Sequence, residues 1–508
     1  MSDEIIPPET ATLRKRRRRR RVALVAAAVL LIAGGVWGVV TISSVCGSLG
    51  SGVDEVGGEC VGVSDGSYVF HPELAAVQQR IETENARVRA ESPGYVTVAL
   101  LDPLLPDADS ALPPLQVRNR LEGAYTALRR VNTESVAGDP KPAIQLLLAN
   151  GGDTDDQWRR VADRLTELSQ EPHPLVAVVG LGVSTDRTRR MAEQLSQRGI
   201  PMVGAVLTAD DLDYEHIPGL IKASPSNRHY VDALRRYVDS ANIRSAIMIR
   251  DSNSDSGTDL YTQTLEAAFG RQMRDLITFP TQQFTGKSIP SQIADPNLFA
   301  NVRANICASA ASGLQAVLYA GREVDLGAFI ESLKNRTCQA LPLTILTAGL
   351  ELGGLLKSKE QELTDARLKI VSAATVDVEG WLRNEEADGT PKNFRGFRQA
   401  FEAAGFPKEH LDDGGAIMMH DAVLTAAHAV RIAAPQGSAS APTAADVRAQ
   451  LLNINTLYTV GGASGTLSFS KSPSGAGTPV GKPVPVLAYP KPPDSTSRQV
   501  GPLYRVPN

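Results

Sequence analysis

The stretch IKASPSNRHYVDALRRYV, Ile221 to Val238, decides the fold, because it is a beginning in the middle of a chain of 508 residues. Ser224, Pro225, Ser226 and Asn227 are turn and helix-cap chemistry, and Tyr230, Val231, Leu234, Tyr237 and Val238 behind them recur on one helical face. The spacing predicts a new helix here. On its N-terminal side, four apolar runs already alternate with amphipathic stretches: YVTVALLDPL (Tyr95 to Leu104), PAIQLLLANGG (Pro142 to Gly152), PLVAVVGLGVS (Pro174 to Ser184) and IPMVGAVLT (Ile200 to Thr208). On its C-terminal side the alternation resumes with SAIMIRDSNSDSG (Ser245 to Gly257), GLQAVLYAGRE (Gly313 to Glu323), LPLTILTAGL (Leu341 to Leu350) and LKIVSAAT (Leu368 to Thr375). Strand alternating with helix implies a parallel sheet covered on both faces. Two such series, separated by a fresh helix start, imply two α/β lobes, as the length also favours.

The N-terminus has a different character. RKRRRRRR, Arg14 to Arg21, abuts the uncharged run VALVAAAVLLIAGGVWGVVTI, Val22 to Ile42. As a helix the run is roughly 31 Å long, enough to cross a bilayer. Clustered basic residues stay on the cytoplasmic side. The expected arrangement is a signal anchor with a cytoplasmic tail and everything after Ile42 extracytoplasmic at the cell membrane; the alternative is a cleaved signal peptide, although the run is long for one and no A-x-A site closes it. The formal net charge is −4, so with the basic block set apart the body is mildly acidic; the adjacent apolar span accounts for the arginines, and no nucleic-acid partner is expected. All four cysteines, Cys46, Cys60, Cys307 and Cys338, follow the span, and an even number in an oxidising compartment points to disulfides. Proximity favours Cys46 with Cys60 and Cys307 with Cys338, although three connectivities are open.

The resulting division is 1–21 basic tail, 22–42 transmembrane anchor, 43–92 flexible linker and stalk helix, 93–225 lobe 1 and 226–375 lobe 2. Residues 376–478 hold late helices and a closing strand that cross between the lobes, and 479–508 form a Pro-rich C-terminal tail, extended or loosely ordered.

From Tyr95 to Pro490 the chain resembles the type I periplasmic binding proteins, in particular the leucine-binding-protein-like substrate-binding proteins of ABC transporters for branched-chain amino acids and amides. The resemblance rests on AVVGLGVSTDRTRRMAEQLSQRGIPMVGAVLT, the opening stretch, SAIMIRDSNSDSG, GAIMMHDAVLTAAHAV and GGASGTLSFSKSPSG, in that order. It implies that the chain restarts because it crosses to a second lobe, with a small polar ligand, possibly bearing a carboxylate, held between the lobes. It implies ligand contacts at Val183, Ser184, Thr185 and Thr208 from the first lobe, and at Ser256, Tyr319, Arg322, Gly349 and Glu351 from the second. Arg322 is a candidate bidentate partner for a carboxylate. Ser256 stands where the family often has an aromatic residue, and Glu351 is the acidic residue nearest the place where the family often holds an amino group.

The resemblance implies an ABC permease partner. The alternatives are a sensor ectodomain acting through a membrane partner, and a pocketless interaction protein on the same fold. No enzyme motif accompanies these residues. DSNSDSGTDLYT fails as a calcium loop at Ser256 and Thr262, His420, Asp421 and His428 lack a nucleophile elbow or HExxH context, and Gly461, Gly462 and Gly465 lack the Lys-Ser/Thr of a phosphate loop. No catalytic residue, metal or cofactor is expected.

Overall fold

A computed structural model describes residues 46, 52–105, 112–152, 155–287, 298–349, 352–387, 389–434, 441–472, 475–493 and 495–507. The expected membrane anchor at 22–42, the basic tail and Glu351 lie outside the described residues. Among those described, no helix is long and apolar enough to cross a membrane.

The first lobe is built on a seven-stranded sheet. Its strands are β1 (Val53–Val56), β2 (Glu59–Ser64), β3 (Val96–Leu101), β4 (Ile144–Asn150), β5 (Leu175–Gly180), β6 (Met202–Gly204) and β7 (Leu220–Lys222), in the order β1-β2-β4-β3-β5-β6-β7. The strands from β3 to β7 run parallel. They are continuous apolar runs because both faces are covered: Val98 and Leu100 point into one core, and Ala99 and Leu101 into the other. The linker that opens 43–92, expected to be flexible, is instead folded from Val53 to Ser64. β1 and β2 form an antiparallel hairpin, and β2 pairs antiparallel with β4. Val53, Val61 and Val63 supply the buried positions that its glycines obscured in the sequence. The helix expected as a stalk, Ala75–Glu91, buries Val77, Ile81 and Val88 against this lobe.

The second lobe carries β8 (Ala246–Asp251), β9 (Gln282–Phe284), β10 (Ala316–Ala320), β11 (Leu343–Gly349) and β12 (Leu368–Ala374), all parallel. Between the sheets, β7 ends at Lys222 and the helix Asn227–Ser240 begins behind Ser226, whose φ of −83° and ψ of 158° are those of an N-cap. Tyr230, Val231, Leu234 and Tyr237 pack with Met248, Leu318 and Val371 of the second lobe. The opening stretch is therefore the crossing between lobes. After β12 the chain returns: Val376, Trp381, Phe397 and the helix Gly415–Ala433 belong to the first-lobe core. That helix crosses the helix Pro114–Thr133 so closely that a Cβ on Gly123 would collide with the carbonyl of Ala416. β13 (Val460–Gly462) and β14 (Gly465–Leu467) close this part as a short antiparallel pair. The Pro-rich C-terminal segment then crosses once more. It is extended, as expected, but not loose: β15 (Pro483–Val484) pairs with β17 (Tyr504–Arg505), and β16 (Val486–Tyr489) adds an antiparallel edge to β12.

Both disulfides join the pairs favoured by proximity, Cys46 with Cys60 and Cys307 with Cys338, at Cα separations of 5.3 and 5.4 Å. The second bond ties the helix Ala300–Ala310 to the segment before β11 across 31 residues. Closing such a loop restricts the unfolded chain, so the double variant Cys307→Ala/Cys338→Ala is expected to lose about 3 kcal/mol in urea unfolding. A loss under about 0.5 kcal/mol would contradict that assignment.

Two lysines are buried where the chain crosses between lobes. The Nζ of Lys222 donates to the Ala209 carbonyl and the Ser226 hydroxyl, each at 2.8 Å. The Nζ of Lys482 donates to the Ala223 carbonyl at 2.8 Å and to the Ser464 hydroxyl at 2.6 Å. Burial pushes both ammonium groups down from 10.5 to about 8, against the pull of Asp213 and Asp210 on Lys222 and of Asp421 on Lys482. Between pH 8 and 10.5 the unfolded chain binds more protons at these sites than the folded one, so stability rises with pH there. The expected gain from pH 7.5 to 9.5 is about 1 to 2 kcal/mol per lysine, read by chemical denaturation and absent in Lys222→Met/Lys482→Met. A flat or falling profile in the parent protein would contradict it.

Candidate cleft between the lobes

In open parallel sheets, ligands bind beyond the carboxyl ends of the strands where the strand order reverses. Here those points lie between β3 and β5 in the first lobe and between β8 and β10 in the second. The loops after these strands face one another across a cleft that the chain's own contacts span. Arg322, following β10, donates from Nε and Nη2 to both carboxylate oxygens of Asp259 at 2.6 and 2.8 Å. Its Nη2 also reaches the carbonyl of Ser184 in the other lobe at 3.0 Å. The same carbonyl accepts the backbone N–H of Tyr261 at 3.1 Å, and Asp186 N–H donates to the Thr258 carbonyl at 3.0 Å. Farther along the cleft, Gln116 Nε2 donates to Glu323 Oε2 at 2.8 Å and Lys357 pairs with Asp412 at 2.7 Å.

The expected ligand residues separate into groups. The hydroxyl of Ser184 is turned inward and accepts the N–H groups of Thr208 and Ala209 at 3.0 and 3.2 Å, so it shapes the first-lobe loop. Thr185 caps the helix Asp186–Gln197 by accepting the N–H of Thr188 at 3.2 Å. Thr208 is fully buried, and its Oγ1 has no hydrogen-bond partner among the described residues. Val183 lines the cleft. In the second lobe, Ser256 is exposed and donates to the Asn253 carbonyl at 2.8 Å. Tyr319 lies in the lobe core, stacked on Phe329 and Phe284, and its hydroxyl donates to the Arg322 carbonyl at 3.3 Å. Arg322 is buried at the cleft, but the bidentate carboxylate it engages is the chain's own Asp259. Gly349 ends β11 and lines a neighbouring space.

That neighbouring space, about 580 Å³ with its open mouth, lies between the ends of β11 and β12 and first-lobe residues that include Val206, Asp413 and Met418. Its charged groups are engaged: Lys357 with Asp412, and Arg498 with Glu360 and Glu379. A second space, about 450 Å³ with its open mouth included but with only about 30 Å³ roomy enough for water, is lined by Leu112, Gln116 and Val183 of the first lobe and by Tyr261, Gly321, Arg322, Glu323, Leu326, Thr347 and Leu352 of the second. Apolar side chains and polar groups share this wall, and polar groups converging beside apolar ones are a feature of small-molecule sites. Of these lining residues, Val183 and Arg322 were expected from sequence. Gln116, Tyr261, Glu323 and Thr347 were missed. Thr347 carried a usable signal, its place near the carboxyl end of a strand. Gln116 and Glu323 are 207 residues apart, and nothing local marks them as neighbours.

Elsewhere, Asp213, Glu215 and His216 bring ligand-type atoms within 4.8 Å of one another. His216 Nδ1 lies 2.8 Å from Asp213 Oδ1, and that hydrogen bond raises the imidazole's pKa. The arrangement is explained by the acid–histidine pair itself.

No family model and no curated protein matches the chain. Solved structures do. An ABC transporter substrate-binding protein from Desulfitobacterium hafniense in complex with Leu is 15% identical, with a TM-score of 0.55, over 81% of this chain and 100% of that one. A solute binding protein of an ABC transporter from Rhodopseudomonas palustris BisB5 in complex with 3,4-dihydroxy benzoic acid is 12% identical, with a TM-score of 0.59, over 82% and 98%. A leucine binding protein from Thermotoga maritima is 13% identical, with a TM-score of 0.54, over 81% and 97%. At such identities the likeness is one of architecture, and it agrees with the two sheets, the repeated crossings and the cleft: the chain has the two-lobed type I periplasmic-binding-protein fold.

Proposed function

We propose that the protein is a membrane-anchored, extracytoplasmic solute-binding protein that captures a small ligand between its lobes and presents it to an ABC permease. The observation that carries this reading is the cleft itself, a space of mixed apolar and polar walls, bounded by both lobes at the carboxyl ends of their strands. A ligand touching both walls favours the closed state over the open one, so closure follows from differential affinity. The anchor rests on Arg14 to Arg21 beside Val22 to Ile42. A panel of amino acids, amides and aromatic acids, scanned by thermal shift on the full-length protein, tests the binding. A ligand at about 100 times its Kd is expected to stabilise by about 2.7 kcal/mol. No response across the panel would favour the second reading, a pocketless interaction protein. That reading has a specific observation behind it: Arg322, Asp259 and Ser184 already close the cleft with internal hydrogen bonds.

A further inference from the structure

The charges around the smaller space select among ligands. On the positive side stand Arg322 and the N-terminus of the helix Glu323–Lys334, whose aligned peptides amount to about half a unit charge. Against them stand Asp259, which accepts two hydrogen bonds from Arg322, and Glu323, which accepts one from Gln116. Asp325 lies in the same first turn, 2% exposed, with its carboxylate accepting the backbone N–H of Lys287 at 3.0 and 3.2 Å. Charges of both signs therefore stand at this space, each already engaged by the chain itself, so that an added charge of either sign meets one like it.

Hydrogen-bonding capacity points the same way. The Nε and Nη2 of Arg322 are engaged, whereas its Nη1 makes no hydrogen bond among the described residues, nor does the hydroxyl of Thr347. A guanidinium nitrogen of this kind offers donors only, and a threonine hydroxyl both donates and accepts. Around them lie Leu112, Val183, Leu326 and Leu352.

Resting on the solute-binding reading above, we propose that the cleft takes an uncharged solute with an apolar body and a hydrogen-bond-accepting oxygen, directed to Arg322 and Thr347, in preference to a carboxylate or an amine. A free carboxylate would meet Asp259 and Glu323, and an ammonium would meet Arg322 and the helix end. A neutral carbonyl or hydroxyl oxygen satisfies the donors and repels neither set.

Two matched series test this on the full-length protein by calorimetry: isovaleramide, isovalerate and isopentylamine, and benzamide, benzoate and benzylamine. The neutral member of at least one series is expected to bind at least about tenfold more tightly than its anion and its cation. Glu323→Gln, which removes one negative charge, is expected to narrow the gap between neutral member and anion. Tighter binding of the anion or of the amine would overturn the charge assignment and leave the solute-binding reading standing. So would silence of both series when another solute of the broad panel binds. Silence across the whole panel would overturn the solute-binding reading, and this inference with it.

Discussion

Arg322→Met is expected to destabilise the protein by about 3 to 5 kcal/mol, the cost of leaving the buried Asp259 carboxylate without its partner. Arg322 and Asp259 are 6% and 1% exposed, and they share two hydrogen bonds of 2.6 and 2.8 Å. The methionine keeps the apolar stem of the arginine, so lost packing is a minor part of the effect. Asp259 also caps the helix Leu260–Gln272 by accepting the N–H of Thr262 at 3.1 Å, so its carboxylate is held in place after the arginine has gone. Arg322→Met/Asp259→Asn is therefore expected to recover a substantial part of the loss, because the asparagine keeps the cap without the charge. Urea unfolding of the single and double variants measures this. A single-variant loss below about 1 kcal/mol, or strict additivity in the double, would show that the pair does not hold the cleft.

An effect of the same order is expected from Asp421→Ala at the junction of the lobes. Asp421 is fully buried and accepts the backbone N–H groups of Ala463 and Ser464 at 2.7 and 2.9 Å, together with the Ser464 hydroxyl, while His420 Nδ1 lies at 2.9 Å. Burial alone would raise its pKa. The hydrogen bond with His420 and the charge of Lys482 outweigh that and hold the carboxyl low. Removing the carboxylate strands two backbone donors, and it leaves Lys482 with only the Ala223 carbonyl and the Ser464 hydroxyl. The expected loss is about 3 to 5 kcal/mol. Asp421→Ala/Lys482→Met is expected to be less destabilised than the sum of its single variants, since no unpaired charge remains. Denaturant titrations of the three proteins check this, and a single-variant loss under about 1 kcal/mol would contradict the network.

These two clusters also show where sequence reasoning reached its limit. The crossing at Ile221 to Val238 was legible because cap chemistry and helical periodicity are local, and the lobes were legible because strands buried on both faces are unbroken apolar runs. The hairpin Val53–Ser64 was not, because glycine and serine hid the buried valines at Val53, Val61 and Val63. At the cleft, position relative to a strand end told which loops take part, but it did not tell which way a side chain turns. The hydroxyl of Ser184 faces backbone N–H groups 24 and 25 residues away, and Tyr319 turns into an aromatic core. Asp259 and Arg322 lie 63 residues apart, so the partner that takes up the arginine's bidentate face was invisible to spacing.

The most direct test of the account is isothermal titration of the full-length protein and of Val183→Trp with a solute that the panel identifies. Val183 is half-buried on the first-lobe wall of the smaller space, and an indole there would fill much of the room that a ligand needs. The account predicts one site on the parent protein and a loss of affinity of at least about 100-fold in Val183→Trp, with the fold retained by circular dichroism. Equal affinity in both proteins would place the ligand somewhere other than between the lobes.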